Sequence, residues 1–265
     1  MSASTSSSLL LRTRVLAASA VLSFGAAGCG TIHGRPGPGP EVIRPQDELH
    51  FETLYNDNCA ACHGANGRDG AQISLANPAY VAVAKDHLHD IIANGVANHL
   101  MPAFAQSAGG MLTGPQVTVL AEGIVKQWGN PGAFTGLSLP PYVATLKGDA
   151  QRGQQAYAIF CARCHGANGE GGPFDSGAGA TPSGSGKAGP IVDPSYLSLV
   201  SDQNLRSITI GGRPDQGMPD WRTDAAQPMT DQQITDVVAW MAAKRVADPG
   251  QPYPSNPQPS GAAGK

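Results

Sequence analysis

The same short pattern of cysteine and histidine occurs twice in the chain, as Cys59-Ala-Ala-Cys62-His63 and as Cys161-Ala-Arg-Cys164-His165. Two thiols three positions apart, at the end of a helix, can each form a thioether to one vinyl group of a single haem. The histidine that follows is then held beneath the ring, where it ligates iron. The spacing therefore predicts two covalently bound haem c groups, attached through Cys59 and Cys62 and through Cys161 and Cys164, with His63 and His165 on the two irons. Other chemistries use the same cysteines. Each pair could be a disulfide or a redox-active dithiol, or the two pairs could build one zinc site. Neither explains a histidine after both pairs.

The elements that must position these residues are also repeated. Leu54–Gly67 and Ala156–Gly169 enclose the motifs at an offset of 102 residues and share His-Gly-Ala-Asn-Gly after the second cysteine. Further on, Leu88-His-Asp-Ile91 matches Leu205-Arg-Ser-Ile208, and Thr113–Leu120 matches Thr230–Val237, both at an offset of 117. The second copy thus carries 15 extra residues, within a Gly/Ser/Pro-rich run at 171–190 that reads as a surface loop. Self-similarity of this kind means two copies of one small domain. In each copy a helix leads into the motif, with Asp47 and Asp149 as its caps. A short helix surrounds Leu88–Ile92 and Leu205–Ile210. A final helix begins after Thr113 and Thr230, with Val117, Leu120 and Ile124 on one face and Ile234, Val237 and Met241 on its equivalent. No alternating pattern is long enough for a sheet, so both domains read as all-α. The predicted organisation is 30–46 flexible linker, 47–130 first domain, 131–146 Pro-containing linker, 147–246 second domain and 247–265 disordered tail.

Aromatic residues make up only 6% of the chain, against 34 glycines and 22 prolines, so each domain has little apolar area of its own to bury. A buried macrocycle would supply the missing core. A net charge of −3 gives no footprint for nucleic acid. At the N-terminus, Arg12 and Arg14 precede an apolar stretch, Val15 to Ala27, that is too short to span a bilayer and fits a secretory signal over 1–29. It ends in Gly25-Ala26-Ala27-Gly28-Cys29, which resembles a bacterial lipobox with Ala26 where leucine is usual; the alternative is an ordinary signal cut nearby. A lipid on Cys29 would account for the fifth cysteine, left over once two pairs hold haem, and would anchor the chain to a lipid bilayer.

Residues 47–130 and 147–246 resemble the class I cytochrome c family, on the CxxCH motifs and the helical pattern around them. The resemblance implies a small all-α fold wrapped around haem in each domain. It also implies a distal methionine from a loop ahead of the C-terminal helix. Met101, Met111, Met218 and Met229 are the candidates. Met101 and Met218 are 117 apart, in register with the flanking helices, and both open a Met-Pro-x-aromatic sequence (Met101-Pro-Ala-Phe104 and Met218-Pro-Asp-Trp221). Met111 and Met229 have no methionine in register. Met101 is therefore expected on the first iron and Met218 on the second, with His99 as the competitor of Met101; Gln216 stands in its place in the second copy. His/Met ligation raises the reduction potential and leaves no open iron position. The expected function is single-electron transfer between redox protein partners, such as a dehydrogenase, a quinol-oxidising complex or a terminal oxidase, at the periplasmic face of a bacterial membrane. The alternative is a subunit of a dehydrogenase or oxidase complex, or a dihaem oxidoreductase with an exchangeable distal ligand. Residues 46–130 carry a net charge of −5 and residues 146–248 one of −2, unlike the basic mitochondrial shuttles of the family.

Overall fold

A computed structural model describes residues 39, 42–96, 100–175, 185–222 and 227–246. Helices α1 (Phe51–Asn58), α2 (Ala60–His63), α3 (Pro78–Ala84), α4 (Leu88–Asn94) and α5 (Gly114–Trp128) build the first half. Helices α6 (Ala150–Phe160), α7 (Ala162–His165), α8 (Pro194–Leu199), α9 (Asp202–Gly211) and α10 (Asp231–Ala242) build the second in the same order. The final helices start alike: the Gln116 and Gln233 side chains each accept from the backbone N–H of the threonine three residues earlier, both at 2.9 Å. Asp149 caps α6 by accepting from the Arg152 amide at 2.8 Å.

Three expectations are corrected. Asp47 is not a cap; it ends a 3-10 turn, Pro45–Asp47, and α1 starts only at Phe51. Gln116 explains the delay, since its amide donates to the carbonyls of Pro45 (2.7 Å) and Glu48 (3.1 Å) and holds this segment away from the helical path. Helices α3 and α8 were not expected at all, although Asn77-Pro78 and Asp193-Pro194 mark both starts: each Asx side chain accepts from the amides that follow its proline. The inserted run of the second half is more than a loop. Strands β1 (Gly172–Asp175) and β2 (Ser185–Ala188) pair antiparallel, with Gly172 opposite Ala188. Aside from this hairpin the named elements are helical, and no described helix is long and apolar enough to cross a membrane.

Each half has its own core. In the first, Leu54, Val81, Leu88, Val117, Leu120 and Ile124 are buried together; in the second, Tyr157, Leu197, Leu205, Ile210, Ile234 and Val237. From Pro45 onward the two halves belong to one compact unit, whereas the few described residues up to Arg44 belong to a separate one. The halves share packing, because Ala79 and Val83 of α3 lie in the second core. The connecting segment is strapped down rather than loose. Phe134 is buried against Trp221 (5.8 Å between ring centroids). The guanidinium of Arg206, 2% exposed, donates to the Pro141 and Tyr142 carbonyls, to Thr235 and to Asp231.

Candidate functional site

Helix α1 runs into the first motif and α6 into the second, so Cys59 and Cys161 sit at the helix ends with backbone N–H groups bonded to Tyr55 O and Tyr157 O. The same two tyrosines reach forward: the Tyr55 hydroxyl donates to Gly64 O at 2.8 Å and the Tyr157 hydroxyl to Gly166 O at 2.5 Å. Each motif is thereby clamped from both ends. The thiols of Cys59, Cys62, Cys161 and Cys164 are unpaired. Burial, and then the neighbouring cysteine, pushes the Cys59 and Cys161 thiols up to about 12. A redox-active dithiol is favoured by a depressed value, and burial moves these two thiols the other way. Nor do three His, Cys, Asp or Glu side chains gather into a metal-holding group among the described residues, as a zinc site would require.

His63 is oriented by its Nδ1, which lies 2.8 Å from the Ile73 carbonyl; His165 Nδ1 lies 3.4 Å from Gly189 O. A carbonyl only accepts, so Nδ1 carries the proton and Nε2 is left with the lone pair that a metal takes. Burial lowers both histidine pKa values, against the upward pull of these hydrogen bonds, and favours the neutral, ligating form.

The methionine loops repeat in detail. Gly95 and Gly212 end α4 and α9 with φ of +65° and +67°. A Cβ at Gly95 would meet the Met101 carbonyl at 2.7 Å, and one at Gly212 the Met218 carbonyl at 2.6 Å. Both need glycine, for conformation and for room. The next residue donates to the methionine carbonyl in each half, Val96 N–H to Met101 O (3.0 Å) and Arg213 N–H to Met218 O (2.9 Å). The Gly-x5-Met-Pro spacing shared by the two halves was the sequence signal for this. Met101 packs against the first core. Met111 is 82% exposed and Met229 is buried in the second core. In the second half, a cleft of ≈ 260 Å³ is lined by Cys161, Cys164, His165 and Met218 together. Cys29 and His99 lie outside the described residues.

The family model for cytochrome c oxidase, cbb3-type, subunit III matches residues 46–111 and 148–241. The chain belongs to this family. It is a c-type cytochrome, which binds haem c covalently and transfers electrons. It is 22% identical, over 89% of its length and 78% of the relative's, to the cytochrome bc1 complex cytochrome c subunit of Corynebacterium efficiens. The protein of that name from Corynebacterium diphtheriae is 23% identical, over 88% of this chain and 80% of the relative. A chain of the Kuenenia stuttgartiensis reducing HAO-like protein complex aligns with 78% of this cytochrome at 15% identity and a TM-score of 0.41, too loose a likeness to carry an argument.

The second cleft suits the cofactor that the family implies. Its walls add apolar Leu205, Ile208 and Val237 to the cysteines, histidine and methionine. Haem also brings carboxylates, and the cleft offers Arg213, whose buried Nε–H has no partner within the protein. The hairpin supplies a further wall through Phe174 and Ala188, so the inserted residues shape this site alone.

Proposed function

We propose that the cytochrome holds two haem c groups, one in each half, and relays single electrons between redox proteins of a respiratory chain. In this reading Cys59 and Cys62 attach the first haem and Cys161 and Cys164 the second. His63 with Met101, and His165 with Met218, would ligate the two irons. The observation that carries the reading is the duplicated surroundings: a tyrosine clamp, an oriented imidazole and a glycine-terminated methionine loop recur around both motifs.

When bound, the haem supplies reversible exchange of one electron at iron. The chain's residues set the conditions for it. Carbonyls hold the Nδ1 protons so that Nε2 is presented, the soft methionine thioethers raise the potential, and the apolar walls keep water away. Two protein ligands per iron leave no place for substrate, which favours a carrier over a catalyst. The two corynebacterial relatives, named as cytochrome c subunits of a cytochrome bc1 complex, support a place in a complex of that kind. The signal-like segment over 1–29 and its Cys29 support export and a lipid anchor on the periplasmic face of a bacterial membrane.

Pyridine haemochrome analysis of the purified protein is expected to give two haems per chain, and the ferric protein to show the weak far-red band of His/Met ligation. Met101→Leu and Met218→Leu should each remove about half of that band, while Met111→Leu leaves it whole. One haem per chain, or a band carried wholly by one half, overturns the proposal; a band left unchanged by Met101→Leu and strengthened by His99→Ala would transfer the first iron to His99. Cys29→Ser should move the protein from the membrane to the soluble fraction.

A further inference from the structure

Arg213 stands where the two halves meet, and each of its polar groups serves a different site. Its backbone pairs with the methionine loop of the second half, donating to Met218 O at 2.9 Å and accepting from Met218 N–H at 3.0 Å. Its Nη2 crosses to the first half and donates to Gly70 O at 3.0 Å, with Gln72 O at 3.4 Å. Those carbonyls belong to the strip that positions the first motif. Gln72 N–H bonds to Cys62 O at 3.0 Å, and the next residue, Ile73, supplies the carbonyl that holds His63. The third group, Nε–H, is buried without a partner, and the residue lines the second cleft. The contact is reinforced nearby, where the Asp69 amide, one residue from Gly70, donates to the Asp215 carboxylate, two residues from Arg213, at 3.3 Å.

The repeat shows that this arrangement is particular to the second half. The residue in register with Arg213 is Val96, which makes the same backbone bond to its methionine and has no side-chain donor. An arginine is therefore not needed to build a methionine loop of this kind. What it adds is a hydrogen-bonded connection from Met218 to the strip beneath His63, together with a positive charge at the seam.

We propose that Arg213 couples the two haem sites, as a positioning residue that sets both reduction potentials together. The inference rests on the dihaem reading above. A cation held in a partly buried seam that joins the second cleft to the strip behind His63 would favour the less positive, ferrous form of a haem bound in either half. Its planar fork also fixes the His63 strip relative to the Met218 loop, which a flexible point charge does less well.

Redox titration of the holoprotein, with Arg213→Met and Arg213→Lys beside the wild type, tests this. Haem content and the far-red band are measured first on each protein. Fewer than two haems in the wild type would overturn the dihaem reading and this inference with it, whereas two haems whose midpoints ignore Arg213 would overturn this inference alone. With two haems present, both midpoints should fall in Arg213→Met, and Arg213→Lys should recover part of each shift. A fall in one midpoint only, or in neither, overturns the coupling. So does a fall in both that lysine does not recover at all, because that marks a general loosening of the seam. Should Arg213→Met fail to retain haem, the lysine variant alone decides: it must lower both midpoints.

Discussion

Asp236, on α10, carries a carboxylate that is almost wholly buried and collects hydrogen bonds from the Asp149 amide, from Arg152 Nε and Nη2 and from Gln232 Nε2, all at 2.8–2.9 Å. Burial pushes its pKa up, but these donors outweigh burial and hold the carboxyl below the usual range. A group whose folded pKa is depressed contributes stability above its unfolded pKa, near 4, and loses that contribution as pH falls through the folded value. Asp236→Ala should cost about 2 kcal/mol at neutral pH, chiefly by orphaning the Asp149 amide and the Arg152 guanidinium. The gap to the wild type should close as the pH is lowered past the carboxylate range; urea unfolding at several pH values checks it. Residues of this kind were not legible in the sequence, where Asp236 is one more polar position on an amphipathic helix. The two CxxCH motifs were, because covalent haem attachment needs those residue types at those offsets, and the 117-residue register singles out Met101 and Met218 from four methionines as the proposed distal ligands.

At the scale of elements, the two halves solve one packing problem with opposite residues. The helix before each motif crosses the final helix closely, and one partner at the crossing must be small. In the first half Phe51 of α1 lies over Gly123 of α5, where a Cβ would meet the ring at 2.1 Å. In the second half the register places Gly153 where Phe51 was and Trp240 where Gly123 was, and a Cβ on Gly153 would fall 2.0 Å from Asp236 O. The neighbour is a half-buried ring in one case and helix backbone in the other. Gly153→Ala should therefore force α6 and α10 apart and cost about 2–3 kcal/mol, whereas Gly123→Ala should cost about 1 kcal/mol as Phe51 swings aside. Guanidinium unfolding of the holoprotein measures both, and a Phe51→Ala background should remove most of the Gly123→Ala cost and none of the other. Helix period and threonine starts made α5 and α10 readable. Helices α3 and α8 span only seven and six residues, too few to show a period, and their Asx-Pro starts were the one local sign. The hairpin was hidden because Gly/Ser/Pro composition predicts a loop and says nothing of pairing partners ten to sixteen residues away.

For the molecule as a whole, the sequence reads as two domains on a string, and the structure joins them. Composition did mark 131–146 as a connection, but it could not show that Arg206, 65 positions from Pro141, would bind it down. Long-range docking of this type leaves no local pattern. Asn77 is the residue on which the docking can be tested most directly. Its Oδ1 caps α3, accepting from the Ala79 and Tyr80 amides at 3.0 and 3.3 Å. Its Nδ2 crosses to the second half and donates to Gly211 O at 2.7 Å, at the end of α9. Asn77→Asp keeps the acceptor and loses the crossing donor, and it sets a buried carboxylate against a carbonyl. Asn77→Ser keeps a short cap while leaving the Gly211 carbonyl without its partner. Both should destabilise the protein, the aspartate by about 3 kcal/mol and the serine by about 1 kcal/mol. The loss should fall on the seam: amide hydrogen exchange should quicken along α3 and the end of α9 and stay unchanged in α1 and α6, which lie by the motifs. Uniform quickening throughout both halves would mean that the seam is no weaker than the cores, and that the two halves unfold as a single cooperative body.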